Sequence, residues 1–361
     1  MSSGALPDEM TAAVLHGPND VRIEKVPLPP RPGPLEVMCR VRAISICGTD
    51  PGIVAGKFFG KPPHWPPKYP FIIGHEWAGE IVAVGEGVEP DSKVGDRVCA
   101  EAHKGCGFCQ MCLRGRYNLC VNYGKLEKGH RHYGFTAQGG YAEYVTIHVK
   151  SLHKMPPTMS FDEGAMIDTA SIALHGCQRV RISPGDTVAV LGTGPVGLSC
   201  IQIARAMGAT RVIASGRGIR LEVAKELGAS DALDYRGDDP VERIKDLTGG
   251  GVDVSIEAAG KVDAAKQAID CVRRGGRVAL IGLYGWIPLT YPPDRIVLDD
   301  LEVHGIRGNP NTADETVRMI ASGNIDVKPL ITHTFPLTDF DRALDTFVNR
   351  LEGCIKVVLH P

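Results

Sequence analysis

The sequence predicts an α/β protein in which a doubly wound parallel sheet is joined to a β-rich domain, a small barrel or sandwich. Three observations predict this fold class. Strands and helices alternate between about residues 186 and 306. Short β-branched runs separated by glycine and proline dominate roughly the first 150 residues. A glycine-rich turn joins the first strand of the alternating region to its first helix.

The β-rich part comes first in the chain. We expect its strands at 21–26, 35–44, 77–85 and 139–147. Proline-rich turns at 27–34 and 62–70 separate them. This pattern favours a barrel or sandwich with loops over a helical domain.

The alternating part follows Pro156–Pro157, beginning with a helix over 161–180 for which Ser160 is a candidate N-cap. The six strands are expected at 186–192, 211–215, 231–235, 252–258, 277–283 and 301–306. The helices between them are expected at 195–208, 219–228, 240–247 and 262–272. Such a series is typical of a parallel doubly wound sheet. The tail, with helices at 312–323 and 338–350 and strands at 331–337 and 354–360, is compatible with a return to the first domain.

Composition narrows the class of protein. The 361 residues carry a formal net charge of −2 and no block of Lys or Arg, so neither nucleic acid nor a membrane surface is an expected partner. The start shows no signal-peptide pattern, and no apolar run reaches the ~20 residues of a membrane helix. Eleven cysteines, an odd number with four inside 15 residues, favour metal ligation in a reducing compartment. We therefore predict a cytoplasmic protein.

The most specific short motif is C-x2-C-x2-C-x7-C, formed by Cys106, Cys109, Cys112 and Cys120. Four thiols this close can surround one Zn²⁺ tetrahedrally and leave no position for a substrate. The motif therefore predicts a structural zinc, and any zinc chemistry must lie elsewhere.

A dinucleotide site is predicted at G-T-G-P-V-G, which contains Gly192, Gly194, Pro195, Val196 and Gly197. The motif follows an apolar strand and opens a helix, so its glycines can form the tight turn, admit a pyrophosphate and let helix and strand pack closely. An ordinary tight turn between strand and helix is the alternative.

The residues that discriminate between NAD and NADP are expected at the end of the next strand. NAD sites usually carry an acid there, but Ser215 occupies that place and Arg217 follows. Arg217 can bond a 2′-phosphate, and Tyr235 can stack near the adenine. These residues favour NADP, whereas NAD remains the choice if Arg217 is only a solvated surface charge.

A catalytic zinc needs about three protein ligands and an open position. Cys47 and the pair His75–Glu76 each follow an apolar strand-like run and offer suitable donors. Asp168 is a further candidate carboxylate. Each alone can also be a buried thiol, a loop residue or a helix-surface acid. A further three histidines in polar stretches are predicted to lie at the surface or to line a pocket: His103, His130 and His132.

Together the motifs resemble those of the zinc-dependent alcohol dehydrogenases of the medium-chain dehydrogenase/reductase family. The family's order is kept from about residue 11 onward by C-G-T-D (47–50), G-H-E (74–76), G-D-R-V (95–98), the four-cysteine lobe, G-G-Y-A-E-Y (139–144) and G-T-G-P-V-G (192–197). The branch is similar to polyol, butanediol and threonine dehydrogenases, whereas S-G-R (215–217) resembles NADP-dependent secondary alcohol dehydrogenases.

The resemblance implies a GroES-like catalytic domain, residues 1–160 and 312–361, around an inserted Rossmann domain, residues 161–311. The structural zinc lobe would occupy about residues 99–122.

The resemblance also implies roles for individual residues. Cys47 and His75 would hold the catalytic zinc, with Glu76 as a ligand that exchanges with water or substrate. Asp168 falls where the family has its remaining ligand or a supporting acid, and Thr49 where a hydroxyl begins the proton relay. Gly52 stands where many members have a histidine that passes the proton to solvent. Water, the cofactor ribose or another histidine must then replace it, and His64 is near in sequence.

We therefore predict an enzyme with two zinc ions per chain that transfers hydride reversibly between a secondary or cyclic alcohol and NADP or NAD. A polyol or threonine dehydrogenase is the alternative. A non-catalytic zinc-stabilised nucleotide-binding protein would not need the Cys47, His75 and Glu76 set. The small-molecule alcohol or ketone is the expected partner, in a homodimer or homotetramer. Phe58, Phe59 and Trp65 would line the pocket mouth, cover the barrel or form a subunit contact.

Overall fold

The computed structural model describes residues 6–57, 68–88, 92–237 and 239–361. The chain divides into two compact units. The first consists of Met1–Asp168 and Ile331–Pro361, and the second of Thr169–Leu330. The sequence placed the corresponding boundaries at 160/161 and 311/312. His64, Phe58, Phe59 and Trp65 lie outside the described residues.

The first unit is built mainly from strands. They are β1 (Glu9–Gly17), β2 (Asp20–Pro27), β3 (Glu36–Ser45), β4 (Phe71–Ile72), β5 (Glu76–Val84), β6 (Arg97–Ala100), β7 (His103–Lys104), β8 (Arg131–His132), β9 (Tyr144–His148), β10 (Leu152–Lys154), and, after the second unit, β17 (Ile331–Pro336) and β18 (Lys356–His360). The largest sheet has the order β10-β6-β5-β3-β18-β17, and β9 also pairs with β3. Strand β18 thus lies beside β3, so the end of this unit completes the sheet that its first half begins.

The helices of the first unit are short. They are α1 (Asp50–Val54), α2 (Gln110–Leu113), α3 (Phe161–Ala165) and, late in the chain, α11 (Phe340–Asn349). Ser160 caps α3 in a capping box with Glu163, which stabilises the start predicted from the sequence. The predicted helix over 161–180 is wrong in one respect, because α3 ends at Ala165 and α4 (Ile167–Arg179) begins after a turn at Met166.

The second unit is a six-stranded, fully parallel sheet. Its strands are β11 (Thr187–Leu191), β12 (Arg211–Gly216), β13 (Asp231–Asp234), β14 (Val252–Glu257), β15 (Val272–Leu280) and β16 (Glu302–Gly305). Besides most of α4, its helices are α5 (Pro195–Ala206), α6 (Ile219–Glu226), α7 (Pro240–Thr248), α8 (Val262–Asp270), α9 (Asp294–Leu298) and α10 (Ala313–Ala321). The strand order β13-β12-β11-β14-β15-β16 confirms the doubly wound α/β prediction. The order reverses between β11 and β14, where such sheets bind their ligands.

Two strand predictions in the first unit need correction. The hairpin partner of β2, strand β1, went unpredicted although Ala12 and Ala13 are fully buried. The strand predicted at 139–147 begins only at Tyr144, because Gly139 and Gly140 instead lie against the backbone of Gly74 and the ring of Trp77. Across the described ranges, no helix combines the length and apolar character needed to cross a membrane.

Candidate metal centres and cofactor site

The four cysteines of the C-x2-C-x2-C-x7-C motif come together in the first unit, and their sulfur atoms all lie within 4.8 Å of one another. Cys109 Sγ is 3.5 Å from Cys112 Sγ and 3.9 Å from Cys120 Sγ, and Cys106 Sγ is 3.9 Å from Cys112 Sγ. Sulfur atoms bound tetrahedrally to zinc at about 2.3 Å lie about 3.8 Å apart. The geometry therefore fits one zinc ion, and we call this group the closed cluster.

Polar donors favour the thiolate form of Cys106 in the closed cluster, whereas burial raises the pKa of Cys112 and Cys120. The side-chain amide of Asn122 donates to Cys106 Sγ at 3.3 Å, and the Cys106 amide donates to Cys120 Sγ at 3.4 Å. Burial alone would raise the pKa of Cys106, but the bonds from Asn122 and from neighbouring amides outweigh it and lower this pKa to about 6. A thiolate is the form that binds a metal.

The second group consists of Cys47, His75 and Glu76, whose ligand atoms also lie within 4.8 Å of one another. We call it the open cluster. Strand pairing explains the meeting, because Ser45 at the end of β3 lies opposite Glu76 at the start of β5. Cys47 follows Ser45 by two residues, and His75 immediately precedes Glu76. Thiolate, imidazole and carboxylate are zinc donors, and three protein ligands leave a fourth position for an exchangeable group.

Glu76 is held by a buried cation. It is 1% exposed, and its Oε2 accepts hydrogen bonds from the Ser45 hydroxyl and, at 2.5 Å, from Lys356 Nζ. Lys356, on β18, is itself only 2% exposed. Burial by itself would raise the pKa of Glu76, but the Lys356 charge outweighs it and holds this pKa below its usual range. The carboxylate is therefore ionised and its orientation is fixed.

Asp50 supports the other two members of the open cluster. This fully buried carboxylate accepts hydrogen bonds from the Cys47 amide at 2.8 Å and from the Tyr141 hydroxyl at 2.6 Å. Its Oδ1 lies 3.7 Å from His75 Nδ1. Burial raises the pKa of Asp50, an effect that the charge of His75 opposes. Gly74 is required here because a Cβ would lie 2.6 Å from the Tyr141 ring.

Asp168 does not belong to the described group of atoms within 4.8 Å, so its role as a metal ligand stays a prediction. It is 4% exposed, in the first turn of α4. Burial, together with the charges of Glu76 and Glu101, raises the pKa of Asp168 to about 7. Thr49 lies at the N-cap of α1, with its hydroxyl buried, two residues after Cys47.

The sequence predicted that three histidines lie at the surface or line a pocket. The surface location is wrong, because all three side chains are buried. His103, His130 and His132 are 6%, 0% and 6% exposed, and the pairing of β7 with β8 brings His103 and His132 together. The rings of His103 and His132 stack at 3.8 Å, His132 stacks on Phe135 at 3.8 Å, and Phe135 lies 4.5 Å from the His75 ring. A continuous series of rings therefore leads away from the open cluster.

In the second unit the predicted dinucleotide glycines lie in the turn between β11 and α5. Gly192 has φ +108°, and a Cβ on Gly197 would lie 1.8 Å from the Gly192 oxygen, so helix and strand pack closely only with glycine. Gly194, the N-cap of α5, has open space where its Cβ would point. The helix begins at Pro195, where the missing N–H of proline breaks no helical hydrogen bond, and continues with Val196. The arrangement suits a pyrophosphate at the helix N-terminus.

The residues predicted to determine the choice of cofactor lie at or just after the ends of β12 and β13. Ser215 is 4% exposed, and its carbonyl accepts the Gly192 amide at 2.8 Å. Arg217 is exposed, and Tyr235 is 47% exposed just after β13. Hydrogen bonds from Arg236, with a further contribution from the charge of Arg217, lower the pKa of Asp234 to about 2. Arg217 thus lies within electrostatic reach of the ends of both strands.

Sequence reasoning missed Asp50, Ser45, Tyr141 and Lys356. Asp50 was visible, since it closes the C-G-T-D motif. Lys356 also left a signal, because it is the one charge within the apolar run C-I-K-V-V-L. A cation inside a buried strand requires a buried partner.

Comparisons with known proteins point the same way. The model for the alcohol dehydrogenase GroES-like domain matches residues 33–157, and the model for zinc-binding dehydrogenases matches residues 195–322. The sorbitol dehydrogenase of Bacillus subtilis (strain 168) is 36% identical over 99% of this chain and 98% of its own length. The crystal structure of a zinc-binding dehydrogenase from Sinorhizobium meliloti 1021, bound to NADP, is similar to this chain with a TM-score of 0.88 and 32% sequence identity. The match covers 98% of this chain and 100% of that chain. An alcohol dehydrogenase of E. coli CFT073 complexed with NADH has TM-score 0.89 and 30% identity, with coverage of 98% and 100%.

Proposed function

This chain belongs to the zinc-dependent alcohol dehydrogenases of the medium-chain dehydrogenase/reductase family, and from that premise we propose that it oxidises a secondary alcohol with NADP⁺. It is a zinc-dependent oxidoreductase acting on CH–OH donors with a nicotinamide cofactor. The single observation that carries the proposal is the open cluster, where Cys47, His75 and Glu76 present three zinc donors within 4.8 Å of one another.

The residues of the open cluster divide the work between holding a metal and orienting its ligands. Cys47 and His75 would hold zinc, and Glu76 would be the ligand that exchanges with water or substrate. When bound, zinc acts as a Lewis acid that makes an alcohol hydroxyl acidic near neutral pH. Asp50 fixes the backbone at Cys47 through its hydrogen bond to that amide. Lys356 orients Glu76 through its hydrogen bond to Oε2, and this contact would hold the carboxylate toward the metal position.

The proton of the alcohol passes to the hydroxyl of Thr49, which is buried beside Cys47 at the start of α1. With Gly52 in place of a histidine, its onward path to solvent runs through water, the cofactor ribose or a different histidine. A bound nicotinamide cofactor would supply the acceptor for the hydride of the carbinol carbon.

The preference for NADP rests on Ser215 and Arg217. A serine at the end of β12 removes the carboxylate that would repel a 2′-phosphate, and the exposed Arg217 guanidinium can bond it. Tyr235 offers an accessible ring for the adenine. Relatives solved with NADP and with NADH are both similar to this chain, so these residues supply the argument.

Two further parts of the proposal concern the metal count and the domains. The closed cluster holds a second, structural zinc, which gives two ions per chain. We assign the first unit to the catalytic domain, with the zinc lobe at about residues 99–122, and the second unit to the cofactor domain.

The substrate class follows the family, and a secondary or cyclic alcohol remains the proposed substrate. The second candidate is a polyol, favoured by the 36% identity to a sorbitol dehydrogenase. A parallel screen of secondary alcohols, cyclic alcohols, polyols and L-threonine, each with NADP⁺ and NAD⁺, tests both. Faster turnover with NAD⁺ would contradict the assignment of Ser215 and Arg217.

We also propose that the chain forms a homodimer or homotetramer in the cytoplasm. Support comes from three large apolar side chains of the second unit that are mostly exposed, Trp286 at 80%, Val297 at 73% and Leu298 at 79%. None of the eleven cysteines forms a disulfide, which is compatible with a reducing compartment. Light scattering during gel filtration measures the assembly, and a monomer would contradict it.

A further inference from the structure

One buried carboxylate in the second unit binds loops at the carboxyl edge of the parallel sheet. Glu257, the last residue of β14, has no exposed surface. Its Oε1 accepts the amides of Ala259 and Gly260 at 2.8 and 2.7 Å. Its Oε2 accepts the Tyr284 hydroxyl at 2.6 Å and the Gly282 amide at 3.2 Å. We call these five residues the Glu257 clamp. Four donors satisfy a charge that would otherwise be costly to bury.

The Glu257 clamp also touches the dinucleotide turn. A Cβ on Gly192 would lie 2.7 Å from the Ala259 amide nitrogen, so the turn after β11 packs directly on the loop after β14. A Cβ on Gly282 would lie 2.5 Å from Glu257 Oε2. A single carboxylate therefore joins the loops that follow β14 and β15, and the turn after β11 packs directly against the first of these loops.

The position of the clamp relates it to one half of the cofactor. The strand order reverses between β11 and β14, and a dinucleotide spans that point with its pyrophosphate at the N-terminus of α5. Ser215, near the end of β12, and Arg217, just after it, are proposed to bind the adenosine half on one side. The nicotinamide half must then extend over the loops after β14 and β15, on the other side.

We propose that Glu257 is a positioning residue for the nicotinamide half of the cofactor. This rests on the proposed function in so far as the chain binds a nicotinamide dinucleotide. Loss of the charge frees the loops at 258–260 and 282–284, so the nicotinamide is held less firmly and less often in the orientation for hydride transfer. The adenosine half keeps its contacts, because none of the five clamp residues belongs to the ends of β12 or β13.

Tyr284 provides a second, milder point of intervention. Burial, reinforced by the hydrogen bond to Glu257, raises the pKa of Tyr284, so its hydroxyl stays protonated and donates to the carboxylate. Tyr284→Phe removes that one donor and leaves the two amide bonds on Oε1. It therefore tests the clamp with little risk to the fold.

The experiment compares whole and half cofactors on the zinc-loaded protein. We expect Glu257→Gln to weaken NADPH binding about tenfold, and Tyr284→Phe about threefold, in fluorescence titrations. Both variants should bind adenosine 2′,5′-bisphosphate as the unchanged protein does. Their kcat should also fall, with a larger kinetic isotope effect from a deuterated alcohol. Glu222→Gln, an exposed acid on α6 paired with Lys225, is the matched control and should change none of these values.

Equal weakening of NADPH and adenosine 2′,5′-bisphosphate would overturn the proposal, since a general loosening of the unit affects both halves. Unchanged NADPH binding in Tyr284→Phe, together with an unchanged isotope effect, would overturn it as well, even if Glu257→Gln fails to fold. The same titrations with NADH and 5′-AMP distinguish a failure of the clamp proposal from a wrong assignment of NADP as the cofactor. In that case the clamp effect persists on NADH while NADPH binds weakly to every variant.

Discussion

The closed and open clusters of the first unit assemble their donors in opposite ways. All four sulfurs of the closed cluster come from one segment of 15 residues, whose spacing fixes the geometry almost by itself. The open cluster takes Cys47 from the end of β3 and His75 and Glu76 from the start of β5, and it fixes Glu76 with Lys356, 280 residues further along the chain. A structural site can thus be encoded locally, whereas a site with an exchangeable position depends on strand pairing.

The largest expected effect is a loss of turnover when a donor of the open cluster is removed. Cys47→Ala removes a zinc donor from the open cluster, so we expect kcat to fall about a thousandfold or more, beyond the 10–100-fold typical of residues that only support a ligand. NADPH binding, measured by fluorescence, should stay nearly unchanged. Cys39→Ala, which removes a buried thiol on β3 outside both clusters, is the control. Retained turnover in Cys47→Ala would contradict the assignment of the open cluster as the catalytic zinc site.

The second-largest expected effect is a loss of folding stability when a sulfur of the closed cluster is removed. Cys112→Ser takes one sulfur from the closed cluster, and we expect the free energy of unfolding to drop by at least about 2 kcal/mol, with one zinc lost per chain. Turnover per zinc remaining in the open cluster should change less than twofold. Metal analysis and denaturant titration measure both quantities. A loss of turnover with both zinc ions retained would contradict the division of roles.

The third test asks how far the open cluster depends on Lys356. Lys356→Met leaves Glu76 without its cation, so we expect kcat to fall about tenfold, since oriented metal-ligating carboxylates lose that much without their support. Lys356→Arg should recover part of the loss because it keeps the charge. Lys154→Met, a more exposed lysine in the same sheet, serves as control. Metal release to a chelator gives a readout independent of turnover, and identical release in all three variants would argue against the dependence.

The smallest expected effect is a pH dependence of the strand that carries Lys356. The hydrogen bond between His360 and Asp162, 2.8 Å, raises the pKa of His360 above its usual 6.5, although burial opposes the shift. The raised value means that this contact stabilises the fold fully below about pH 6.5 and that the contribution is lost as pH rises through the folded-state pKa. Since both side chains are partly exposed, we expect less than about 1 kcal/mol. His360→Asn should be less stable than the unchanged protein at pH 5.5 and equal to it at pH 8.5.

Local pattern was enough to predict one cluster and most of the second unit. The spacing of Cys106 to Cys120 predicted a group that the fold does assemble, and the alternation of strands and helices predicted the parallel sheet correctly. Both signals repeat within a few tens of residues, so no knowledge of long-range pairing was needed.

The supporting residues could not be predicted in this way. Asp50, Tyr141 and Lys356 act through contacts that span from three to hundreds of residues, and each looks ordinary in its own segment. His132 looked like a polar loop residue because the two-residue pairing of β7 with β8, which brings it together with His103, has no periodic pattern. The role of Glu257 could not be predicted either, because nothing in the sequence indicates that a single acid at a strand end accepts four hydrogen bonds.

The ion pair of Glu76 and Lys356 has a consequence for how the protein is made. A ribosome adds about 5 to 20 residues per second, so the 280 residues between these two side chains take roughly 15 to 60 s to synthesise. During that interval Glu76 already exists, together with Cys47 and His75, while β18 and its lysine do not. The nascent chain must keep this carboxylate hydrated or engaged with another cation until the whole second unit has emerged. The reactive cluster is consequently among the last features of the molecule to reach its final form.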